Sequence, residues 1–190
     1  FVFHHTANVR SLDPHIGYDE LSLMAIRLLF DGLLDYDHDG DVVPRLAREM
    51  PEVSDDGKTF TFRLREGVKF HNGRELTAED VRWSMERMLS AEVGSPGYPF
   101  YQAIVGAEAY HQGDAEHVEG IRVRDRYTIE FHLDRPDQTF LDVMAMAFAY
   151  PVPEENYQRW GSEVSMHPVG TGPFVLDGWE RGGKLELEAF

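Results

Sequence analysis

The chain holds 190 residues, enough for one or two hydrophobic cores. Its 34 acidic and 18 basic side chains give a formal charge of −16, which argues against nucleic acid or an anionic membrane as partner, because both are recognised through clustered Lys and Arg. The most apolar run, Val143 to Val152, is too short for the roughly 20 residues of a bilayer-crossing helix and reads as buried core, and the absence of cysteine removes disulfides and thiol chemistry.

The first residues, FVFHHT, and the last, KLELEAF, both read as strands, so the chain is expected to be a piece of a longer protein, with strand faces such as Phe174, Val175 and Leu187 lacking their partners. Leu21 to Phe30 has the spacing of a short amphipathic helix, and an acidic turn precedes Val42-Val43-Pro44. Phe60, Phe62 and Leu64 alternate with Thr61 and Arg63, the period of a strand with one buried face. Arg65-Glu66-Gly67 then reads as a hairpin turn into a return strand at Val68 and Phe70, closed by Asn72-Gly73. A helix comes at once, with Thr77 and Asp80 as a capping box and Val81, Met85, Met88 and Leu89 on one stripe.

Ala91 to Pro99 is a Gly/Pro loop, succeeded by an expected helix from Phe100 to Tyr110 and a polar loop to Glu119. A second hairpin runs from Ile121 and Val123 through Arg124-Asp125-Arg126 to Tyr127, Ile129, Phe131 and Leu133. Pro136 ends it, and Asp137 is placed to cap a helix over Gln138 to Ala147 that buries Phe140, Met144 and Phe148. The pattern is α/β, with mixed α+β order.

Chemical motifs are sparse. Asp35, Asp37, Asp39 and Gly40 reproduce the first half of a calcium loop, but the position of its bidentate Glu holds Leu46 and Pro44 interrupts it, so an acidic solvated turn accounts for the same residues. The nine histidines show no metal-ligand spacing; His4 and His5 would point to opposite faces of a strand. Gly170-Thr171-Gly172-Pro173 lacks the Lys of a phosphate loop and reads as a sharp turn of a crossover strand. No GxSxG elbow is present, and no cofactor is implied.

The order of these pieces resembles a known family. SDDGKTFTFRLREGVKFHNGRELTAEDVRWSMER, from Ser54 to Arg87, is similar to the signature segment of the family-5 extracellular solute-binding proteins, the peptide, nickel and oligosaccharide receptors of ABC importers. SLDPH (Ser11 to His15), the run from Leu28 to Met50, VRDRYTIEFHLDRP (Val123 to Pro136) and HPVGTGPFVLDGW (His167 to Trp179) keep the family's order. The resemblance implies a truncated, class II, periplasmic-binding-protein-like lobe. Residues 1–32 and 165–190 would be parts of a discontinuous first domain, 33–164 an inserted α/β domain, and a second lobe would be absent.

The resemblance further implies capture of a short peptide, with nickel and oligosaccharide as alternatives, and delivery to the membrane permease of an ABC importer. Location would be periplasmic or extracellular, with lipid anchoring of the full-length protein left open. Ligand contacts would come from the loop after the first strand (Thr6, Ala7, Asn8 and Val9), the aromatic segment (Tyr98 and Phe100), and a strand after the second helix (Met146 and Phe148). Two rivals from other classes are a calcium-dependent interaction module on Asp35 to Asp41 and a hydrolase using paired acids.

Overall fold

The computed structural model describes residues 9–190. Helix α1 (Glu20–Leu29) starts where the Asp19 carboxylate accepts hydrogen bonds from the Ser22 amide (3.1 Å) and hydroxyl (2.7 Å). That hydroxyl in turn accepts from the amides of Arg10 and Ser11, so the helix start also fastens the segment before it. Strands β1 (Leu34–Tyr36) and β2 (Val42–Pro44) pair antiparallel around the acidic turn. There the Asp37 carboxylate accepts from the amides of Asp39 (2.9 Å) and Asp41 (3.0 Å), so it closes the turn.

Strands β3 (Glu52–Val53) and β4 (Thr59–Arg63) join β5 (Ile121–Asp125) and β6 (Thr128–His132) in an antiparallel sheet of order β3-β4-β6-β5. Phe60 lies opposite Phe131 and Phe62 opposite Ile129, which puts the apolar alternation of both strands on one face. The Phe62 and Phe131 rings meet edge to face at 5.7 Å, and Phe140 leans on Phe60 at 4.7 Å. Helix α2 (Ala78–Leu89) covers this face, with Val81, Met85, Met88 and Leu89 fully buried and the Thr77–Asp80 capping box formed.

Two sequence expectations change at this sheet. Val68 and Phe70 do not return along β4, because β3 and β6 already occupy its edges; they fold against residues 74–76 instead, with the Phe70 amide donating to Arg74 and the Leu76 amide to Val68. Glu75 holds that detour, accepting from Arg126 (2.9 Å), the Gly67 amide (2.8 Å) and the Tyr127 hydroxyl (2.9 Å), which keep its carboxyl down at about 2. The two later helices are also shorter than the periodicity suggests. The aromatic segment forms only a 3₁₀ turn at Tyr98–Phe100, and α3 (Ala107–His111) starts after Gly106, whose φ of 81° breaks the run. Helix α4 (Phe140–Met144) stops where the hydroxyls of Tyr36 and Tyr101 donate to the carbonyls of Asp142 (3.0 Å) and Val143 (2.6 Å).

Helix α5 (Glu154–Trp160) then leads to the antiparallel pair β7 (Phe174–Trp179) and β8 (Leu185–Ala189). The buried apolar residues form two clusters. One draws on residues 33–149 around the four-stranded sheet; the other holds Leu12, Ile26, Leu29, Phe30, Tyr150 and Val152, flanked by Leu176, Trp179, Leu185 and Leu187. Phe174, Val175 and Leu187 are half-buried, and Leu187 packs on the second cluster.

Gly170 and Gly172 serve close approach rather than a turn. Neither has a positive φ, and a Cβ on Gly170 would collide with the Leu29 carbonyl oxygen. His71 locks the same strap, since one ring nitrogen meets the Gly172 carbonyl (3.0 Å) and the other accepts from the Gly170 amide (3.2 Å). Burial holds the imidazole below its ordinary pKa, in the neutral form that this pairing requires. Gly170→Ala is therefore expected to destabilise the protein by about 2 kcal/mol or more, read as a lower urea midpoint at unchanged slope. An unchanged midpoint would show that the strap is not tightly packed.

Candidate functional site

The residues just past the C-terminal end of helix α4 form the floor of the candidate site. Met146 turns extended, and Ala147–Ala149 form a 3₁₀ turn rather than the expected strand. The base of the Phe148 side chain packs on Gly97, where an added Cβ would come within 2.5 Å of its Cγ, and the Phe100 ring lies nearly parallel to that of Phe148 at 6.3 Å and 15°. Phe148 is 6% exposed and Phe100 48%, so one is floor and the other wall. With Met146 they line an open cleft of about 410 Å³.

The opposite wall is α1. Leu23 and Arg27, one turn apart on that helix, face the cleft, and Tyr18, Tyr36 and Pro96 complete its rim. Ala147 belongs to the second apolar cluster and Phe148 to the first, so the cleft lies on the seam between them. Arg27 is the only charged residue among the described residues that line it.

The candidate residues named from sequence divide accordingly. Phe100, Met146 and Phe148 come together. Tyr98 does not join them: its ring stacks on His111 at 3.7 Å, and its hydroxyl donates to Glu108. Val9 packs against the second cluster, while Thr6, Ala7 and Asn8 lie outside the described residues. Tyr18, Leu23, Arg27 and Tyr36 are additions that the structure makes to the site. Leu23 and Arg27 could have been found, because they sit off the buried stripe of Ser22, Ala25, Ile26 and Leu29 and form a second face of α1. A larger depression of about 1010 Å³ between α5 and β7 shares no residue with this cleft and presents side chains of both signs, Glu155, Glu163 and Asp177 with Arg159 and Arg181.

A buried polar network fixes the loop that carries Tyr18. Arg87, in the last turn of α2, donates to both oxygens of Asp13 (2.7 and 3.2 Å) and to His15 Nδ1 (2.7 Å), and lies 3.9 Å over the Tyr157 ring. Tyr157 donates its hydroxyl to Asp13 (3.2 Å). His15 Nε2 meets the Tyr150 carbonyl (3.1 Å), so Nε2 carries the proton and Nδ1 accepts from Arg87. The Ser95 hydroxyl donates to the His15 carbonyl and accepts from the Gly97 amide, which ties this loop to the aromatic one.

The fold is that of an α/β periplasmic-binding-protein-like lobe. A sequence profile described as "Bacterial extracellular solute-binding proteins, family 5 Middle" matches residues 41–190, and the chain belongs to this family. The dipeptide-binding protein DppE of Bacillus subtilis (strain 168) is 31% identical over 182 residues, 94% of this chain and 33% of its own. The glutathione-binding protein GsiB of Escherichia coli O1:K1 / APEC is 29% identical over 184 residues, 97% of this chain and 33% of its own. Among solved structures, the periplasmic oligopeptide-binding protein OppAIV of Borrelia burgdorferi has a TM-score of 0.90 at 32% identity, over 96% of this chain and 37% of that one. Haemophilus influenzae OppA in complex with RPPGFSPFR gives 0.88 at 26%, over 97% and 37%. The chain thus spans about a third of the length of the relatives it matches. Family members are binding proteins, and no helix among the described residues is long and apolar enough to cross a membrane.

The network sets a pH dependence. Burial, and then the Arg87 charge, push the His15 pKa from 6.5 down to about 4. Between those values the unfolded chain binds more protons than the folded one, so this stabilisation is complete above pH 6.5 and is lost as pH falls toward 4. From pH 7 to pH 5 the loss from His15 comes to about 2 kcal/mol. NMR titration of the histidine rings is expected to find His15 neutral at pH 5; a midpoint near its ordinary value would remove the argument.

Proposed function

We propose that this chain is part of the receptor that captures short peptides outside the cytoplasmic membrane and presents them to the permease of an ABC importer. The observation that carries this reading is the half-open apolar cleft at the seam of the two clusters, in a lobe whose relatives are named for dipeptides, oligopeptides and glutathione. Residues 1–32 and 165–190 are two passes through one domain, and 33–164 form a domain inserted between them. The two apolar clusters support that division in part: Leu12 to Phe30 and, at its edge, Leu176 to Leu187 share the second cluster, which also takes Ala147, Tyr150 and Val152 from the inserted stretch.

Backbone groups near Ala7 to Val9 pair with the peptide main chain, as an added strand would, and Phe100, Met146 and Phe148 receive a side chain. Binding is completed by a second lobe outside these 190 residues, and ligand favours the closed arrangement by its higher affinity for it. No covalent step is involved.

Calorimetric titration of tri- to pentapeptides is expected to give no submicromolar affinity with the 190-residue chain alone, and measurable affinity with the protein expressed from its whole gene. In the latter, Phe100→Ala is expected to weaken peptide binding about 10-fold with little change in melting temperature, since the ring is half exposed. Submicromolar binding by the 190 residues alone, or full affinity in the Phe100 variant, would contradict the proposal.

A further inference from the structure

The cleft has a charge character opposite to that of the chain that forms it. The protein carries a formal charge of −16, yet among the described residues no carboxylate lines the cleft and Arg27 does. None of the ion pairs among the described residues involves Arg27, and residues 1–8 contain no acid that could supply one. Of the acids that share the surroundings of Tyr150 with Arg27, Asp31 pairs with Arg45 at 2.7 Å, and Asp35 accepts from the Tyr36 amide at 2.8 Å without forming an ion pair with Arg27. Arg27 is exposed on the last turn of α1, off that helix's buried stripe, and its guanidinium hydrogen-bonds the Tyr150 hydroxyl, a neutral partner that leaves its charge uncompensated and its other N–H donors available to a ligand.

A guanidinium recognises a carboxylate through two parallel N–H donors, and beside an apolar wall that pairing is less screened than on open surface. The wall here is aromatic and thioether: Phe100, Phe148 and Met146. We infer that the cleft selects ligands in which a hydrophobic side chain lies next to a carboxylate, the side chain resting on Phe100 and Phe148 and the carboxylate held by Arg27. This rests on the peptide-receptor reading and narrows its substrate class. The carboxylate can come from the peptide's C-terminus or from an acidic side chain beside the apolar residue; the chemistry at Arg27 is the same.

The test uses the protein expressed from its whole gene, titrated calorimetrically with Ala-Ala-Phe and its C-terminal amide, and with the amides of Ala-Glu-Phe and Ala-Gln-Phe. In the unaltered protein, loss of the carboxylate is expected to weaken binding about 10-fold or more in at least one of the two pairs, and the affected pair identifies its source. Arg27→Met, which keeps the stem and the helix propensity, should reduce that difference to about 2-fold or less, while Arg27→Lys retains part of it. Melting curves establish that both variants fold. Persistence of the full difference in Arg27→Met, or equal affinity for acid and amide in both pairs of the unaltered protein, overturns the inference while leaving peptide capture intact. Failure of every peptide to bind overturns the receptor reading and this inference with it.

Discussion

The buried pairing of Arg87 with Asp13 ties together three parts of the chain that lie far apart in sequence. Asp13 belongs to the segment before α1, Arg87 lies in the last turn of α2, and Tyr157, which stacks under the guanidinium and donates to the same carboxylate, lies on α5. Both charged side chains are largely removed from water, 15% exposed for Arg87 and 5% for Asp13. Loss of either partner would strand a buried charge at a cost of about 3 to 5 kcal/mol, which makes their mutual presence a condition of the fold. His15 depends on the same guanidinium, and through Ser95 so does the loop that leads to Gly97.

Helix α2 is the element on which both apolar clusters are built. Its Val81, Met85, Met88 and Leu89 face the four-stranded sheet. Trp83 packs against Tyr157 on the other side at 5.5 Å, and the Ser84 hydroxyl exchanges hydrogen bonds with the amide and carbonyl of Val152. At its start, Arg74 clamps Asp80 and Glu155 together, joining the turn at Asn72 to α5. One helix thus carries a network at each end and a cluster on each flank, and the candidate cleft opens where the two clusters meet.

Legibility from sequence tracks the range of the interactions. The capping box of Thr77 and Asp80, the stripe of α2 and the alternation of β4, β5 and β6 are encoded within a few residues, and each stands where periodicity places it. The return of the chain after Gly67 departs from its local pattern because the deciding partners, Arg126 and Tyr127, lie some fifty residues away from Glu75. Helix α4 ends early for a similar reason, its carbonyls being taken by the hydroxyls of two distant tyrosines. In the cleft, the aromatic candidates Phe100 and Phe148 are legible as apolar residues beside a Gly/Pro loop and after a helix. Arg27 carries no local motif, and its place depends on how α1 is set against the other cluster.

Gly97 decides the depth of the cleft without lining it. The base of the Phe148 side chain rests directly on its backbone, so the floor lies as low as the chain beneath permits. Any side chain at that position would collide with Phe148 and force the floor of the cleft to shift. If the cleft holds the ligand as proposed, its size limit is set by an atom that is missing, and a lineage of such receptors could trade larger guests for smaller ones by changing a residue outside the cleft lining.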